Sequence, residues 1–416
     1  MLKKFVSAVL CVMLALTTTV IGFTNSPAYS VEAADDYEIP YYPYYYEQLS
    51  ENGKIIYQML KEAVLECKKE VKIDNTNMSE GDFNKITEIL LMHDPMTFNI
   101  KDIKATIAKK TSAGKTVTAS ITFTLVYTYN KETYDKMAAA YEEQVDDILS
   151  RLTDDMTIYA KINTIHDEII KTAVYDLESP ANDTIYGALV EKKAKCDGYA
   201  RTFSYICAKA GICATTVLGI ASKDGDSEYH MWNKVYYNQK WYNIDVTWDD
   251  PITNMKDNCS HEYFMLSDED IGRSHLEANM SFFVPESADN SLTYYQAAQE
   301  YASNLSEAKK LINSGLTSAV KNGTTYYEFK CSSQSVYDET MNYVAASGNI
   351  SGILKNAKNN SGKKVAANVY SYNLNDDQYV IRIMIFYEGT KLDDYFVDID
   401  AVDSSTAKVL AKFGIG

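Results

Sequence analysis

The sequence predicts an α+β fold built from several consecutive segments. Some stretches repeat apolar residues every three or four positions, as amphipathic helices do, and others alternate apolar with polar residues, as half-buried strands do. The two patterns mix along the chain, and its 416 residues are enough for two or three domains of ordinary size. We therefore expect helices packed on antiparallel sheets.

The first 30 residues have the features of a secretory signal peptide. Lys3 and Lys4 precede an apolar stretch at 5–21, and the small residues Ala28 and Ser30 offer a cleavage site. Three threonines interrupt the stretch, which is shorter than the roughly 20 apolar residues that a spanning helix needs. We expect cleavage near residue 30, a secreted protein and no membrane span afterwards. An uncleaved anchor is the alternative.

The acidic composition argues against nucleic acid as a partner. The formal net charge is −17, and loss of a leader with two lysines and no acids changes it to −19. Binding to nucleic acid calls for the opposite sign of charge. Such a charge favours solubility and a cationic or neutral substrate.

The cysteines are too sparse for a disulfide scaffold, since the whole chain has seven. One of them, Cys11, lies in the predicted leader. Neither a CxxC pair nor an HExxH pattern occurs, so we expect no metal site and no cofactor. A metal site made of Cys196, His230 and Asp245 is the alternative.

Residues 35–155 are predicted to form an N-terminal α+β accessory domain. It begins with a tyrosine cluster at 41–46, which we expect to pack against the first helix, although aromatic clusters also bind glycans. The pattern then predicts helices and one strand, at 50–69, 83–91, 119–129 (the strand) and 134–152.

Residues 156–287 are predicted to form the core that carries the chemistry. A helix runs from the neighbourhood of Cys196 to a stop at Gly211. Cys196 thus stands at a helix N-terminus, where we expect the helix dipole to lower the thiol pKa. Strands follow at 228–237 and 240–248, separated by a two-residue turn.

The register of these strands is expected to bring a histidine and an aspartate to one face. If the residues on either side of the turn pair, His230 faces Thr247 and stands diagonal to Asp245, roughly 7 to 8 Å apart at Cα. A thiol at a helix start, followed by an imidazole and a carboxylate on neighbouring strands, is what a cysteine nucleophile needs. Cys196, His230 and Asp245 are therefore the candidate catalytic residues.

Three blocks of this core resemble the transglutaminase-like superfamily of papain-like cysteine enzymes, in its secreted bacterial branch. They are Cys-x-Gly-Tyr-Ala at 196–200, His-Met-Trp-Asn at 230–233 and Trp-Tyr-Asn-Ile-Asp-Val-Thr-Trp at 241–248. The resemblance implies a papain-like transglutaminase core, in which the helix with the cysteine packs on an antiparallel sheet that bears the histidine and the aspartate. It also implies that Cys196 is the nucleophile, His230 the general base and acid, and Asp245 the group that orients the imidazole.

The resemblance further implies an enzyme that opens amide bonds through a thioester on Cys196. The Cys196 backbone N–H is the first expected oxyanion donor, and Tyr175 is the second candidate. Water as acceptor makes the enzyme a cysteine protease or amidase, whereas an amine makes it a cross-linking acyltransferase. Cross-linking members of the family carry Gln and Trp beside the cysteine. Lys195 and Asp197 stand there in this chain, so we expect hydrolysis.

The expected substrate is a protein or peptide, with a cell-wall peptide as one candidate. A non-catalytic surface or extracellular binding module that keeps the fold is the alternative. The intact set of three residues argues for the enzyme, because a pseudoenzyme has usually lost at least one of them. His261 and His275 are expected in surface or structural roles, although either could line the cleft.

Residues 290–416 are predicted to form a C-terminal α+β accessory domain. Its patterns predict helices at 294–314 and 338–346, followed by strands at 364–372 and 378–387. Structural support, or binding to a cell-wall or protein partner, is the expected role of both flanking domains.

Overall fold

Helices and strands mix along the whole described chain, which confirms the α+β class. The computed structural model describes residues 43–74, 78–112, 115–223, 226–250, 259–278, 281–346, 348–358, 362 and 364–389. The predicted leader lies outside these residues. Within them, no helix is both long and apolar enough to cross a bilayer.

The described elements have the following bounds. The α-helices are α1 (Glu51–Leu65), α2 (Glu80–Glu88), α3 (Lys131–Leu149), α4 (Ile158–Thr172), α5 (Cys196–Lys209), α6 (Asp268–Ile271), α7 (Tyr294–Ala297), α8 (Leu305–Asn322), α9 (Gln334–Ala345) and α10 (Asn349–Asn356). The strands are β1 (Glu70–Asp74), β2 (Ile100–Ser112), β3 (Lys115–Tyr127), β4 (Val174–Tyr175), β5 (Lys193–Ala194), β6 (Ala214–Lys223), β7 (Asp226–Tyr237), β8 (Lys240–Ile244), β9 (Phe264–Leu266), β10 (His275–Glu277), β11 (Tyr301–Ala302), β12 (Tyr326–Cys331), β13 (Val365–Asn375) and β14 (Val380–Tyr387).

The chain divides into two units, and the first comprises Met1–Gln239 and His275–Pro285. Strands β2 and β3 form an antiparallel hairpin, and β1 pairs with the other edge of β3. Strand β6 pairs antiparallel with both β7 and β10, and β4 pairs parallel with β5. One apolar core lies between α1, α2 and the β1–β3 sheet, and it includes Tyr57, Phe83 and Phe123.

The second unit comprises Lys240–Ser274 and Glu286–Gly416. Strand β8 pairs antiparallel with β9. A separate sheet has the order β11-β12-β14-β13, in which β11 and β12 are parallel and the other pairs antiparallel. Helices α8, α9 and α10 contribute Ile312, Leu316, Val344 and Ile350 to the apolar core of this sheet.

Tyr45 and Tyr46 of the N-terminal tyrosine cluster pack inside the first unit, and residues 41 and 42 lie outside the described residues. Tyr46 and Tyr57 of α1 have ring centroids 5.3 Å apart, and both rings are buried. Tyr45 reaches a different element, because its hydroxyl donates to the Thr216 carbonyl of β6 at 2.8 Å. These two tyrosines therefore connect α1 to β6, the strand that pairs with β7.

A short segment from Ile89 to Thr97, called here the Asp94 segment, joins the N-terminal elements to α5 and β6. His93 Nδ1 lies 2.7 Å from Thr216 Oγ1. Arg201 of α5 donates to the carbonyl oxygens of Leu91 at 2.8 Å and of Met92 at 3.2 Å. These bonds satisfy backbone groups that burial would otherwise leave without partners. The segment thus fixes the position of α5 from the N-terminal side.

The Asp94 segment is itself held to α1 by a buried ion pair. Lys61 Nζ lies 2.8 Å from Asp94 Oδ2, and both side chains have no exposed surface. The Tyr57 hydroxyl donates to the same carboxylate, whose second oxygen accepts from the Met96 N–H at 3.0 Å. Burying two charges is costly, and here the pairing and the added hydrogen bonds offset that cost.

The sequence patterns located some of the helices and strands and missed others. Helices α1, α3, α5 and α9 and strands β3, β7, β13 and β14 lie where they were expected. The single helix expected at 294–314 is wrong, because α7 ends at Ala297 and α8 begins at Leu305. Gln299, with φ 62°, stands between them, and Asn304 caps the new helix. The division of the chain into the segments 1–30, 35–155, 156–287 and 290–416 stays a prediction.

Lys61→Met is expected to lower the free energy of unfolding by about 3 to 5 kcal/mol, because Asp94 stays buried without its cation. Urea unfolding followed by circular dichroism measures this loss. Lys136→Met is the matched control, since Lys136 lies 2.7 Å from Glu132 in an exposed pair and its loss changes stability by at most about 1 kcal/mol. Equal effects of the two substitutions would contradict the role given to the buried pair.

Candidate active site

Cys196 is the first residue of α5, as the sequence predicted, and it is 8% exposed. Lys195 occupies the N-cap position, and no side-chain hydrogen bond caps the helix there. Ser, Thr or Asn side chains cap most other helices of the described chain, including Ser50 at α1 and Thr157 at α4. The first N–H groups of a helix have no intrahelical partner. The start of α5 therefore presents backbone N–H donors beside the thiol.

Gly198 allows the start of α5 to lie against the loop that precedes it. A Cβ at this position would stand 2.4 Å from the Asn182 carbonyl oxygen and 3.0 Å from the Ala194 Cβ. The same carbonyl accepts from the Lys195 N–H at 2.8 Å. The glycine of the Cys-x-Gly-Tyr-Ala run is thus required by a close backbone approach, which sets where the thiol stands.

His230 lies on β7 in the same unit, is 4% exposed, and is within hydrogen-bonding reach of the Cys196 thiol. Asn233, three residues later on β7, donates to the Ala200 carbonyl of α5 at 2.8 Å and to the Thr215 carbonyl at 3.3 Å. This amide joins the strand with the imidazole to the helix with the thiol. The structure therefore places Cys196 close to His230, and the hydrogen bonds of Asn233 hold the helix and the strand together.

Aromatic rings fix the surroundings of His230. Trp232 is stacked beside it with ring centroids 6.3 Å apart, and His275 of β10 lies edge-on with centroids 5.3 Å apart. Gly219 of β6 pairs with His230, and a Cβ there would stand 2.6 Å from the Trp232 ring. His275 is buried and adds a second imidazole whose nitrogen could bind a metal or donate a hydrogen bond.

The thiol environment raises the Cys196 pKa rather than lowering it. Burial is the largest cause, and the negative charge of Asp197 acts in the same direction. The hydrogen bond and charge of His230 oppose the rise without cancelling it. The expected lowering by the helix dipole is therefore wrong, because the low polarity around a buried thiol outweighs a partial charge. Ionisation of the Cys196 thiol is thus disfavoured.

Asp197 is a direct neighbour of the thiol that the sequence patterns did not single out for a role. The Cys196 Sγ–H donates to Asp197 Oδ1 at 3.2 Å. Burial opposes ionisation of this carboxyl, but Lys195 and Arg201 together hold its pKa below the usual value. The signal that could have found it was the charged pair that flanks the cysteine in the sequence.

Asp245 belongs to the second unit, where it is fully buried. Its Oδ1 accepts from the backbone N–H groups of Thr247 at 3.0 Å and of Trp248 at 3.2 Å. Its own N–H donates to the Tyr263 carbonyl at 3.0 Å. These bonds make a turn that begins where β8 ends, so the carboxylate is held by backbone donors.

The length predicted for the second strand is wrong, because β8 ends at Ile244 instead of Trp248. Thr247 stands in the turn that Asp245 caps, and the register expected for it against His230 stays a prediction. The two-residue turn before β8 is confirmed, since Asn238 and Gln239 have φ of 49° and 63°, as a type I′ turn requires.

Residues 143–246 match the model of the Transglutaminase-like superfamily. The match includes Cys196, His230 and Asp245. This chain therefore contains a transglutaminase-like domain, and the resemblance of its sequence blocks to that superfamily is confirmed. A secreted bacterial branch stays a prediction.

The chain is also similar to kyphoscoliosis peptidase of Homo sapiens and of Mus musculus. It is 26% identical to each over 137 residues, which cover 31% of this chain and 20% of the relative. The chain thus matches about one fifth of the length of these curated relatives.

Solved structures offer weaker likenesses. One is a TGase, at 13% identity and a TM-score of 0.25, covering 43% of this chain and 50% of that chain. Another is a candidate cysteine protease from Cytophaga hutchinsonii, at 15% identity and a TM-score of 0.24, covering 43% of this chain and 71% of that chain.

Gly198→Ala is expected to displace the start of α5, because the added methyl group cannot fit against the Asn182 carbonyl. Overpacking of this kind costs about 1 to 3 kcal/mol, and we expect a loss of that size in urea unfolding. Alkylation of Cys196 by iodoacetamide should change in rate with it. Gly352→Ala, in α10 with no atom within 4 Å of its added Cβ, is the control. A fully stable Gly198→Ala protein with unchanged alkylation would contradict the close approach.

The pH dependence of alkylation tests the environment of the thiol. The rate at Cys196 should reach half its maximum above the ordinary thiol value of about 8.5, because burial and Asp197 raise the pKa. His230→Ala should move the midpoint higher still, since it removes the group that lowers this pKa. The measurement is iodoacetamide labelling across pH, with Cys196 read by peptide mass spectrometry. A midpoint below 8.5, or one that ignores His230, would contradict this description.

Proposed function

We propose that this protein is a cysteine-dependent acyl-transfer enzyme that acts on amide bonds. The observation that carries the proposal is the buried Cys196 thiol at an uncapped helix start, with His230 in hydrogen-bonding reach, inside a transglutaminase-like domain. A nucleophile, a base and backbone N–H donors at one point are the parts that acyl transfer requires.

The raised pKa of Cys196 favours a mechanism that starts from a neutral thiol and a neutral imidazole. As Sγ attacks the amide carbonyl, His230 takes the thiol proton, and the carbonyl oxygen becomes an oxyanion. His230 then gives the proton to the leaving amine, and a thioester remains on Cys196. Water attacks the thioester with His230 as base, which releases a carboxylic acid and restores the thiol.

Asp245 is the carboxylate that we propose to orient the imidazole and support its charged form. The proposal rests on the sequence blocks, in which it follows His230 inside the matched domain. The two N–H bonds to Oδ1 support it as well, because they hold the carboxylate in a fixed position.

The oxyanion is proposed to bind the backbone N–H of Cys196, which lies at the uncapped start of α5. Tyr175 remains the second candidate donor. It is 44% exposed on β4, whose partner β5 ends two residues before Cys196.

We propose hydrolysis rather than cross-linking, and a secreted protein with a protein or peptide substrate, of which cell-wall peptide is one candidate. The charged flanks Lys195 and Asp197 replace the Gln and Trp of cross-linking relatives. Val174, Tyr175 and Leu177 are large exposed apolar side chains beside the strand that leads to Cys196. They offer a polypeptide more contact than a small amide could use.

One observation favours a second function, a binding module that does not catalyse. A buried thiol with a raised pKa is also what a structural cysteine shows. In that case Cys196 and His230 serve packing alone, and no acyl group is transferred.

A side-by-side screen for peptide cleavage, ammonia release and amine incorporation separates these functions. Hydrolysis predicts products in the first or second assay, complete loss in Cys196→Ala, and a fall of about 10² to 10⁴ in rate for His230→Ala. Cys213→Ala, which removes an exposed thiol, is the matched control and should keep the rate. Absence of all three products, or a rate that survives Cys196→Ala, would reject the enzyme.

A further inference from the structure

Two groups act on the proton of the Cys196 thiol. The Asp197 carboxylate accepts a hydrogen bond from it, and His230 is the base that can remove it. The thiol donates to Asp197 Oδ1 at 3.2 Å, and the other carboxylate oxygen lies 3.4 Å from Lys195 Nζ. The Asp197 side chain is 14% exposed and the Lys195 side chain 26%. The nucleophile therefore sits between a base that can take its proton and an anion that holds it.

The charges around the thiol keep Asp197 ionised. Lys195 and Arg201 face its carboxylate, and Asp183 adds a negative charge near Lys195. Arg201 is fixed by carbonyl oxygens of the Asp94 segment and of Asp183. His230 is the other group that acts on the thiol directly. Because charges at such distances interact strongly in a buried site, a carboxylate here disfavours a thiolate beside it.

We propose that Asp197 is a positioning residue that accepts the hydrogen bond of the Cys196 thiol and opposes loss of the thiol proton until His230 takes it. The inference rests on the proposed function for its catalytic meaning. Lys195 has the opposite effect, because its ammonium group partly neutralises Asp197. The pair thus acts on the charge state of Cys196 through contacts with the thiol and with each other.

Two substitutions with opposite signs test the proposal. Asp197→Asn removes the anion and keeps the shape, so the pH midpoint of Cys196 alkylation should fall by about one unit or more. One unit is about tenfold more thiolate at neutral pH. Lys195→Gln removes the cation that partly neutralises Asp197, so the pH midpoint of Cys196 alkylation should rise in this variant. Asp197→Glu keeps a carboxylate at this position, so its midpoint should lie closer to the wild-type value than that of Asp197→Asn. The readout is iodoacetamide labelling of the full chain, resolved at Cys196 by mass spectrometry.

Glu132→Gln is the matched control, since it removes one acid from an exposed pair on α3 and should leave the midpoint unchanged. A midpoint that stays or rises in Asp197→Asn would overturn the proposal, and so would an equal fall in the control. If Asp197→Asn does not fold, as judged by circular dichroism, Lys195→Gln decides alone: a midpoint that stays or falls rejects the proposal.

Failure of this inference and failure of the proposed function give different results. If Asp197→Asn lowers the midpoint while no variant turns over an amide, the proposed function fails and the role of Asp197 in the thiol charge stands. If amides are turned over and the midpoint does not move, Asp197 has no such role and the enzyme stands.

Discussion

The close packing of the start of α5 against the Asn182 carbonyl is the constraint on which the site depends. Gly198 makes it sterically possible, and the Lys195 N–H bond to the same carbonyl fixes it. From the other side, Arg201 ties the helix to the Asp94 segment, and Asn233 ties it to β7. Cys196 and His230 thus lie close together because α5 is held both by the loop that precedes it and by strand β7.

The burial that positions the thiol also decides its chemistry. A thiol removed from water resists ionisation, and a neighbouring carboxylate adds to that resistance. We propose that His230 takes the thiol proton as sulfur attacks, so that the reactivity of Cys196 depends on a bound carbonyl as well as on pH.

Local patterns in the sequence were enough for the start of α5 and for the turn before β8. Helical spacing with a stop at Gly211 located the first, and the two-residue spacing between alternating strands located the second. The turn at Asp245 was missed because alternation continues through Thr247, while the carboxylate bonds to the backbone and ends the strand. The raised thiol pKa could not be read from sequence either, since burial is set by packing. Asp197 is visible in the sequence as a charged residue beside the cysteine. Its hydrogen bond to the thiol depends on the folded geometry of the helix start and could not be predicted.

The proposed function requires Cys196 to form an acyl-enzyme, and acid-quenched intact mass spectrometry with an activated peptide ester measures this acylation directly. We expect one added acyl group, located on Cys196, absent in Cys196→Ala and much slower to form in His230→Ala. Cys213 provides an internal comparison, because its thiol is exposed and has no place in the chemistry. Acylation spread over Cys213 and other thiols, or unaffected by His230→Ala, would contradict the account.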